Sequence, residues 1–226
     1  MIKMARIPFI RRKNYNGITT ETVEKLQLGA SAVFKNFTIG TDTYSSAKKA
    51  GKCLGATRGG VNFRVENEIE QLEVDGAGGR VKGLGTITAI NASAGFSLIE
   101  VSKDNLALAL SAAVVTDEGD DVPTGYSKIT GTYELAEEDF IENITIIGCI
   151  SGTEEPVIIQ LLNGFNEDGL TLQTSDDGSG VLPVTVYAYN SLEECMEDDM
   201  KPPYRIYYPN KESGTNTDPS SDPIAP

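Results

Sequence analysis

The sequence predicts a mainly β protein: an antiparallel β-sandwich or distorted barrel with one flanking α-helix. Three observations carry this. Apolar and polar residues alternate through two long segments on either side of the glycine-dense connection Asp75-Gly76-Ala77-Gly78-Gly79-Arg80. Two nearly continuous apolar runs, residues 143–151 and 156–162, sit close together around a Gly-Thr-Glu-Glu turn. Helical periodicity is confined to one stretch, residues 103–114. Period-2 alternation marks half-buried strands, and continuous runs of this length mark central ones.

Length and composition set the bounds. A chain of 226 residues buries a self-sustaining core. Histidine and tryptophan are absent. Without histidine the commonest general base and the commonest metal ligand are both missing. Cys53, Cys149 and Cys195 are odd in number, far apart and show no C-x-x-C spacing. They read as apolar fillers or inert thiols of a reducing cytoplasm, neither a disulfide framework nor a zinc site. The basic N-terminal stretch has only short apolar runs and no cleavage-site pattern, and no segment approaches 18 consecutive apolar residues. A soluble chain without membrane contact is expected.

Charge is divided unevenly. Residues 1–82 hold 14 Lys and Arg against 8 Asp and Glu, whereas residues 83–226 hold 5 against 25. The net charge of −14 argues against nucleic-acid binding, which needs clustered cations to displace counterions. The acidic excess reads either as a solvated face or as the complement of the basic half on another copy.

Taken in order, residues 1–25 form an arm, with an apolar patch containing Ile7, Phe9 and Ile10 and a possible helical turn at 20–26. Too short to be stable alone, the arm is expected to dock. Residues 27–37 read as a first strand. Residues 38–54 are a long loop whose middle, 44–50, can form one helical turn; connections of this length are usually functional or disordered. In the following hairpin, Val61, Phe63, Val65 and Ile69 share one parity. On the return, Ile90, Ala92, Ala94, Phe96 and Leu98 do the same. The apolar phase changes at 69–72 and again at 89–90, as β-bulges or bends produce. Ser102 caps the helix of residues 103–114, whose stripe is Leu106, Ala109, Leu110 and Ala113, with Leu108 off it. Strands are further expected at 126–135, with Ile129, Tyr133 and Leu135 inward, and at 143–151, 156–162, 170–174 and 181–190. In the last, Val184, Val186 and Ala188 face one way and Tyr187 and Tyr189 the other, and Pro183 implies an edge or a strand start. The β domain spans 26–208; residues 209–226 are polar, proline-rich and expected to be disordered.

Chemical motifs are weak. Gly55-Ala-Thr-Arg-Gly-Gly lacks the lysine and hydroxyl of a phosphate loop and precedes a strand, so it reads as a strand-entrance bend. Asp117, Glu118, Asp120 and Asp121 form a solvated acidic loop, with incidental divalent-cation binding as the sharper reading. The acid pairs Glu137-Glu138, Glu154-Glu155 and Asp198-Asp199 lie in polar connections without an apolar pocket to raise a pKa. No G-x-S-x-G is present. No catalytic residue, metal ligand or cofactor site is assigned; the chain reads as non-enzymatic.

Three pieces, in order, carry a family resemblance: Gly55-Ala-Thr-Arg-Gly-Gly-Val-Asn-Phe, Leu72-Glu-Val-Asp-Gly-Ala-Gly-Gly-Arg-Val-Lys-Gly-Leu and Ser102-Lys-Asp-Asn-Leu-Ala-Leu-Ala-Leu. With the aromatic close Pro202-Pro-Tyr-Arg-Ile-Tyr-Tyr-Pro, residues 26–208 resemble the major tail protein, or tail tube protein, of long non-contractile-tailed (siphovirus-type) phages of Gram-positive bacteria. That resemblance implies a structural virion subunit, assembled in the host cytoplasm into stacked hexameric rings. Long hairpins of six subunits would close one inner β-barrel, through which genomic DNA passes without specific binding. Tape measure, tail terminator and distal tail proteins are the implied partners. It also places the oligomer interface on the arm (Ile7, Phe9, Ile10), the 38–54 loop (Tyr44, Lys48, Lys49) and the hairpin tip (Asp75, Gly76, Gly79, Arg80, Lys82). The alternative is a monomeric β-sandwich binding module, an adhesin or carbohydrate-binding domain, with Tyr204, Tyr207 and Tyr208 as its aromatic platform.

Overall fold

A computed structural model describes residues 27–150, 156–172, 174, 180–196 and 201–209, with Thr19 and Thr22, and the backbone alone for 27–30. The arm, the helical turn expected at 20–26, the turn at 152–155 and the tail beyond residue 209 lie outside the described residues.

The strands are β1 (Gln27–Lys35), β2 (Thr57–Gln71), β3 (Gly85–Leu98), β4 (Ala113–Thr116), β5 (Lys128–Gly131), β6 (Ile141–Ile150), β7 (Val157–Phe165), β8 (Leu182–Ala188) and β9 (Tyr204–Tyr207). The helices are α1 (Tyr44–Lys49), α2 (Lys103–Leu110) and α3 (Leu192–Met196). All strand pairs are antiparallel, in the order β1-β6-β7-β8-β3-β2, with β9 also on β7 and a separate β4-β5 pair.

One edge of β7 divides this sheet into two layers. Ile158 to Leu161 pair with β9, whereas Gly164 and Phe165 pair with β8. The break falls at Asn163, in the left-handed region at φ 46°. The layer β1-β6-β7-β9 therefore folds over the layer β8-β3-β2, an open sandwich without barrel closure. Between them lie Val33, Phe96, Leu98, Ile144, Leu182, Val184 and Val186, continuing into Ala94, Ile146 and Leu161. Gly164 lets the layers approach: a Cβ there would meet Val186 Cγ1 at 2.7 Å and Ile144 Cγ1 at 3.4 Å. Gly164→Ala should cost about 1–3 kcal/mol by overpacking, read in chemical denaturation.

A smaller cluster, Phe34, Phe37, Ala47 and Ile147, lies on the outside of β1-β6. Val33 and Phe34 are both fully buried because each face of β1 is covered. Gln160 ties the cover down by donating through Nε2 to Phe37 O (3.1 Å) and Thr145 Oγ1 (3.3 Å).

Several expectations need correction. The helix predicted to residue 114 stops at Leu110, because Ser111 (φ 51°) and Ala112 (φ 37°) turn left-handed. A distant residue stabilises that stop: Asn166 Nδ2 donates to Ala109 O (2.6 Å), and Asn166 N–H donates to Ser111 Oγ (3.1 Å). Ala113 belongs to β4, and Leu108, thought to lie off the stripe, packs on the core. The strand expected at 126–135 shrinks to β5; Ile129 is half-buried, but Tyr133 and Leu135 face solvent, since β4 pairs only 128–131. The described residues at 170–174 form no strand, and Leu170 and Leu172 are exposed. The short α3 and β9 had no counterpart in the sequence reading. By contrast, β8 presents buried Val184 and Val186 as expected, and Pro183 sits at its start where β7 does not reach.

Candidate functional site

The molecule's most distinctive surface is the β2–β3 ribbon. Its register shifts once near the middle: Glu68 opposes Ala89, yet Ile69 opposes Ile87. Thr88 is the extra residue, and its hydroxyl donates to Glu68 O (3.3 Å). The phase change read at 89–90 is this bulge, whereas the one read at 69–72 falls where β2 ends at Gln71, with Leu72 already outside the strand. A second irregularity near the β2 start accommodates Gly59 and Gly60, both at φ 82°.

Below the bulge the ribbon belongs to the sandwich; above it, the ribbon projects away. Ile69, Leu72, Val74, Val81 and Ile87 are 43–67% exposed. Among the described residues nothing covers them. At the tip, Asp75, Gly76, Gly79, Arg80 and Lys82 are all exposed. A Cβ at Gly76 or Gly79 would meet nothing within 4 Å, so the tip is unpacked against the described residues. Only Gly76, at φ 84°, needs glycine's backbone freedom. Gly79→Val therefore isolates packing against another molecule: monomer melting should stay within about 2 °C of wild type while association weakens.

β2 is also the last strand of its sheet, and among the described residues its outer edge has no strand partner. An open edge of 15 residues is a template for another chain. The outer face of the same layer is polar and small. Register places Asn62, Arg64 and Glu66 opposite Gly95, Ser93 and Asn91, and Gly95 and Ser93 in turn opposite Thr185 and Tyr187. Arg64 pairs with Glu66, and Asn91 Nδ2 donates to Glu68 Oε1 (3.0 Å). Gly59, Gly60, Gly95, Ser97 and Thr185 line a shallow depression of about 460 Å³ on this face.

The 38–54 segment is a built cover rather than a free loop. Thr43 and Ser46 form a reciprocal cap at the start of α1, with Ser46 N–H donating to Thr43 Oγ1 (3.2 Å) and Thr43 N–H to Ser46 Oγ (2.8 Å). Phe37 N–H donates to Asn143 Oδ1 (2.9 Å), and Lys52 pairs with Asp42 (2.5 Å). Tyr44 sets its ring edge-on to Phe34 at 5.5 Å while staying half-exposed. Lys48 and Lys49, in the last turn of α1, point to solvent. Structure thus separates the proposed interface residues into an α1 patch and a ribbon tip, while Ile7, Phe9 and Ile10 lie outside the described residues.

The remaining motifs have structural partners. Glu100 closes the Gly55 bend: its carboxylate accepts from Ala56 N–H (3.0 Å), and a Cβ on Gly55 would lie 2.8 Å from it. In the acidic loop, Asp117 accepts from Lys103 Nζ (3.0 Å) and Ser127 Oγ (2.6 Å), and Asp121 pairs with Lys128. Ser127 first and Lys103 second hold the Asp117 carboxyl below its ordinary range, and Lys128 does the same for Asp121. Asp42 is likewise pushed down, by Lys52 and then the Thr38 N–H. All three shifts run opposite to that of a general acid poised near neutrality. Among the described residues no three metal-ligating side chains converge. Cys53 fills the edge of the Phe34 cluster; Cys149 and Cys195 are exposed, and all three are free.

The chain matches no protein-family model and no curated protein sequence. Its class is therefore defined by the fold: an antiparallel β-sandwich with a flanking helix, carrying an overhanging ribbon with one open edge.

Proposed function

We propose that this chain is a tail tube protein, a structural virion subunit that self-assembles into stacked hexameric rings and forms the conduit for phage DNA. The observation that carries this reading is the β2–β3 ribbon, half anchored in the sandwich and half projecting with apolar side chains exposed. A monomer gains nothing from such a ribbon and risks aggregation through its edge. A ring of copies gains from it, because each open edge meets the neighbour's sheet and closure removes every edge.

The outer face of the β2-β3-β8 layer fits a lumen. It is polar, with small side chains along β3 and charged ones along β2. With a net charge of −14 the subunit repels phosphates, which suits passage without trapping. The role is mechanical, without catalysis or cofactor, and neighbouring tail proteins cap and measure the tube.

One observation weakens the binding-module alternative. Tyr204 packs edge-on to Phe63 at 5.8 Å inside the sandwich, whereas Tyr207, at odd spacing on β9, faces the other way. The tyrosines do not build one platform. Sedimentation velocity at rising concentration tests the proposal: rings or longer assemblies should appear, and a species that stays monomeric at high concentration would overturn it.

A further inference from the structure

The junction of β7 and β8 carries a pocket that neither the ribbon nor the lumen face uses. Glu137, Phe140, Asn163, Tyr189, Asn190, Ser191, Leu192 and Glu193 line a cavity of about 420 Å³. Its aromatic wall is fixed from behind. Phe140 stands edge-on to Tyr189 at 5.2 Å, and Phe165 backs both, at 5.1 Å from Phe140 and 6.4 Å from Tyr189. Asn163 Nδ2 donates to Tyr189 O (3.0 Å), and the Tyr189 hydroxyl donates to Glu167. Burial, with Glu167 second, pushes the Tyr189 phenol up to about 12, so the ring stays neutral in any physiological buffer.

Two further features define what the pocket receives. Ser191 and Glu194 satisfy each other across the start of α3, through Glu194 N–H to Ser191 Oγ and Ser191 N–H to Glu194 Oε2, both 3.2 Å. This leaves the Glu137 and Glu193 side chains to give the lining its charge. Asn190 Oδ1, also at this wall, is buried with no donor among the described residues. Aromatic faces and carboxylates together favour a cation with several N–H groups and an apolar stem. A guanidinium is the best match, and exposed Leu192 offers contact for the stem.

We infer that this pocket seats Arg80, from the ribbon tip of a second copy of the chain. Arg80 lies between exposed Gly79 and Val81 in the connection beyond the last paired residues of the ribbon, Gln71 and Gly85, with exposed Lys82 nearby. Arg58 and Arg64 lie on the β2 strand itself and lack that reach. Residues 1–82 are basic in sum and residues 83–226 acidic, while within the tip Glu73 and Asp75 balance Arg80 and Lys82, so the contact rests on Arg80 itself. The inference rests on the self-assembly reading and names the contact between copies.

A charge exchange in the full chain tests it. Arg80→Glu and Glu137→Arg/Glu193→Arg should each cut the assembled fraction at least about tenfold at fixed concentration, with monomer melting unchanged. Combining them should restore assembly toward wild type, and raising salt should weaken wild-type assembly. Arg80→Glu assembling like wild type, or no recovery on exchange, overturns the pocket contact and leaves the tube reading standing. Should the wild type stay monomeric, the tube reading falls, and a peptide of residues 72–84 added to the full Arg80→Glu chain decides the pocket. Shifts of the Phe140 and Tyr189 ring resonances, absent with an Arg80→Glu peptide, support it; no shifts overturn it.

Discussion

Replacing residues 72–84 with Asn-Gly should give a chain that folds like the wild type and no longer assembles. The last paired residues of the ribbon are Gln71 and Gly85, and Asn-Gly is the preferred two-residue link for strands in that register. No core cluster draws on residues 72–84, so the sandwich loses no packing. The deletion removes exposed Leu72, Val74 and Val81 with the whole charged tip. Melting should move by no more than about 4 °C, which for a domain of this size is roughly 1–2 kcal/mol. Assembly, followed by sedimentation, should disappear. A variant that loses its fold would place the ribbon in the core instead.

Phe34→Ala should have the largest effect on stability of any single change considered. Phe34 is fully buried and touches Phe37 at 5.6 Å and Tyr44 at 5.5 Å between ring centroids. Removing a buried phenylalanine costs about 3–5 kcal/mol, through lost transfer energy and an unfilled cavity. The loss should also be local. Residues 38–54 are held by the Phe34 cluster and, at their end, by backbone bonds to β1 (Lys35 N–H to Lys52 O and Leu54 N–H to Val33 O), so the part around α1 should become protease-sensitive before the strands do. Chemical denaturation gives the magnitude, and limited proteolysis with mass mapping gives the location. Uniform destabilisation without early cleavage near α1 would contradict the cover's independence.

The same elements show what could be read from residues alone. Strands with a buried face announced themselves, because period 2 is imposed by geometry: Val184 and Val186, or Ala92 to Leu98, could face only one way. The bulge at Thr88 left its trace on β3, where the apolar phase changes at 89–90. Elements fixed by distant partners left none. The stop of α2 depends on Asn166, and Ala113 still looked helical because a small apolar residue fits either structure. β9 is short and bounded by Pro203 and Pro209, and exists because the half-edge of β7 is vacant beside it. Tyr133 and Leu135 alternated with no partner to cover them, and alternation without pairing buries nothing. The exposed ribbon tip was legible as a connection through its glycines and charges. The Tyr189 pocket was not, since Phe140, Asn163, Tyr189 and Glu193 are scattered in sequence and meet only where the sheet divides.

Electron microscopy of the purified full chain at high concentration tests the central claim most directly. A self-assembling tube subunit should appear as rings of six and as hollow tubes of stacked rings, both lost on replacing residues 72–84 with Asn-Gly. A field of single compact particles at every concentration, identical with and without the ribbon tip, would contradict it.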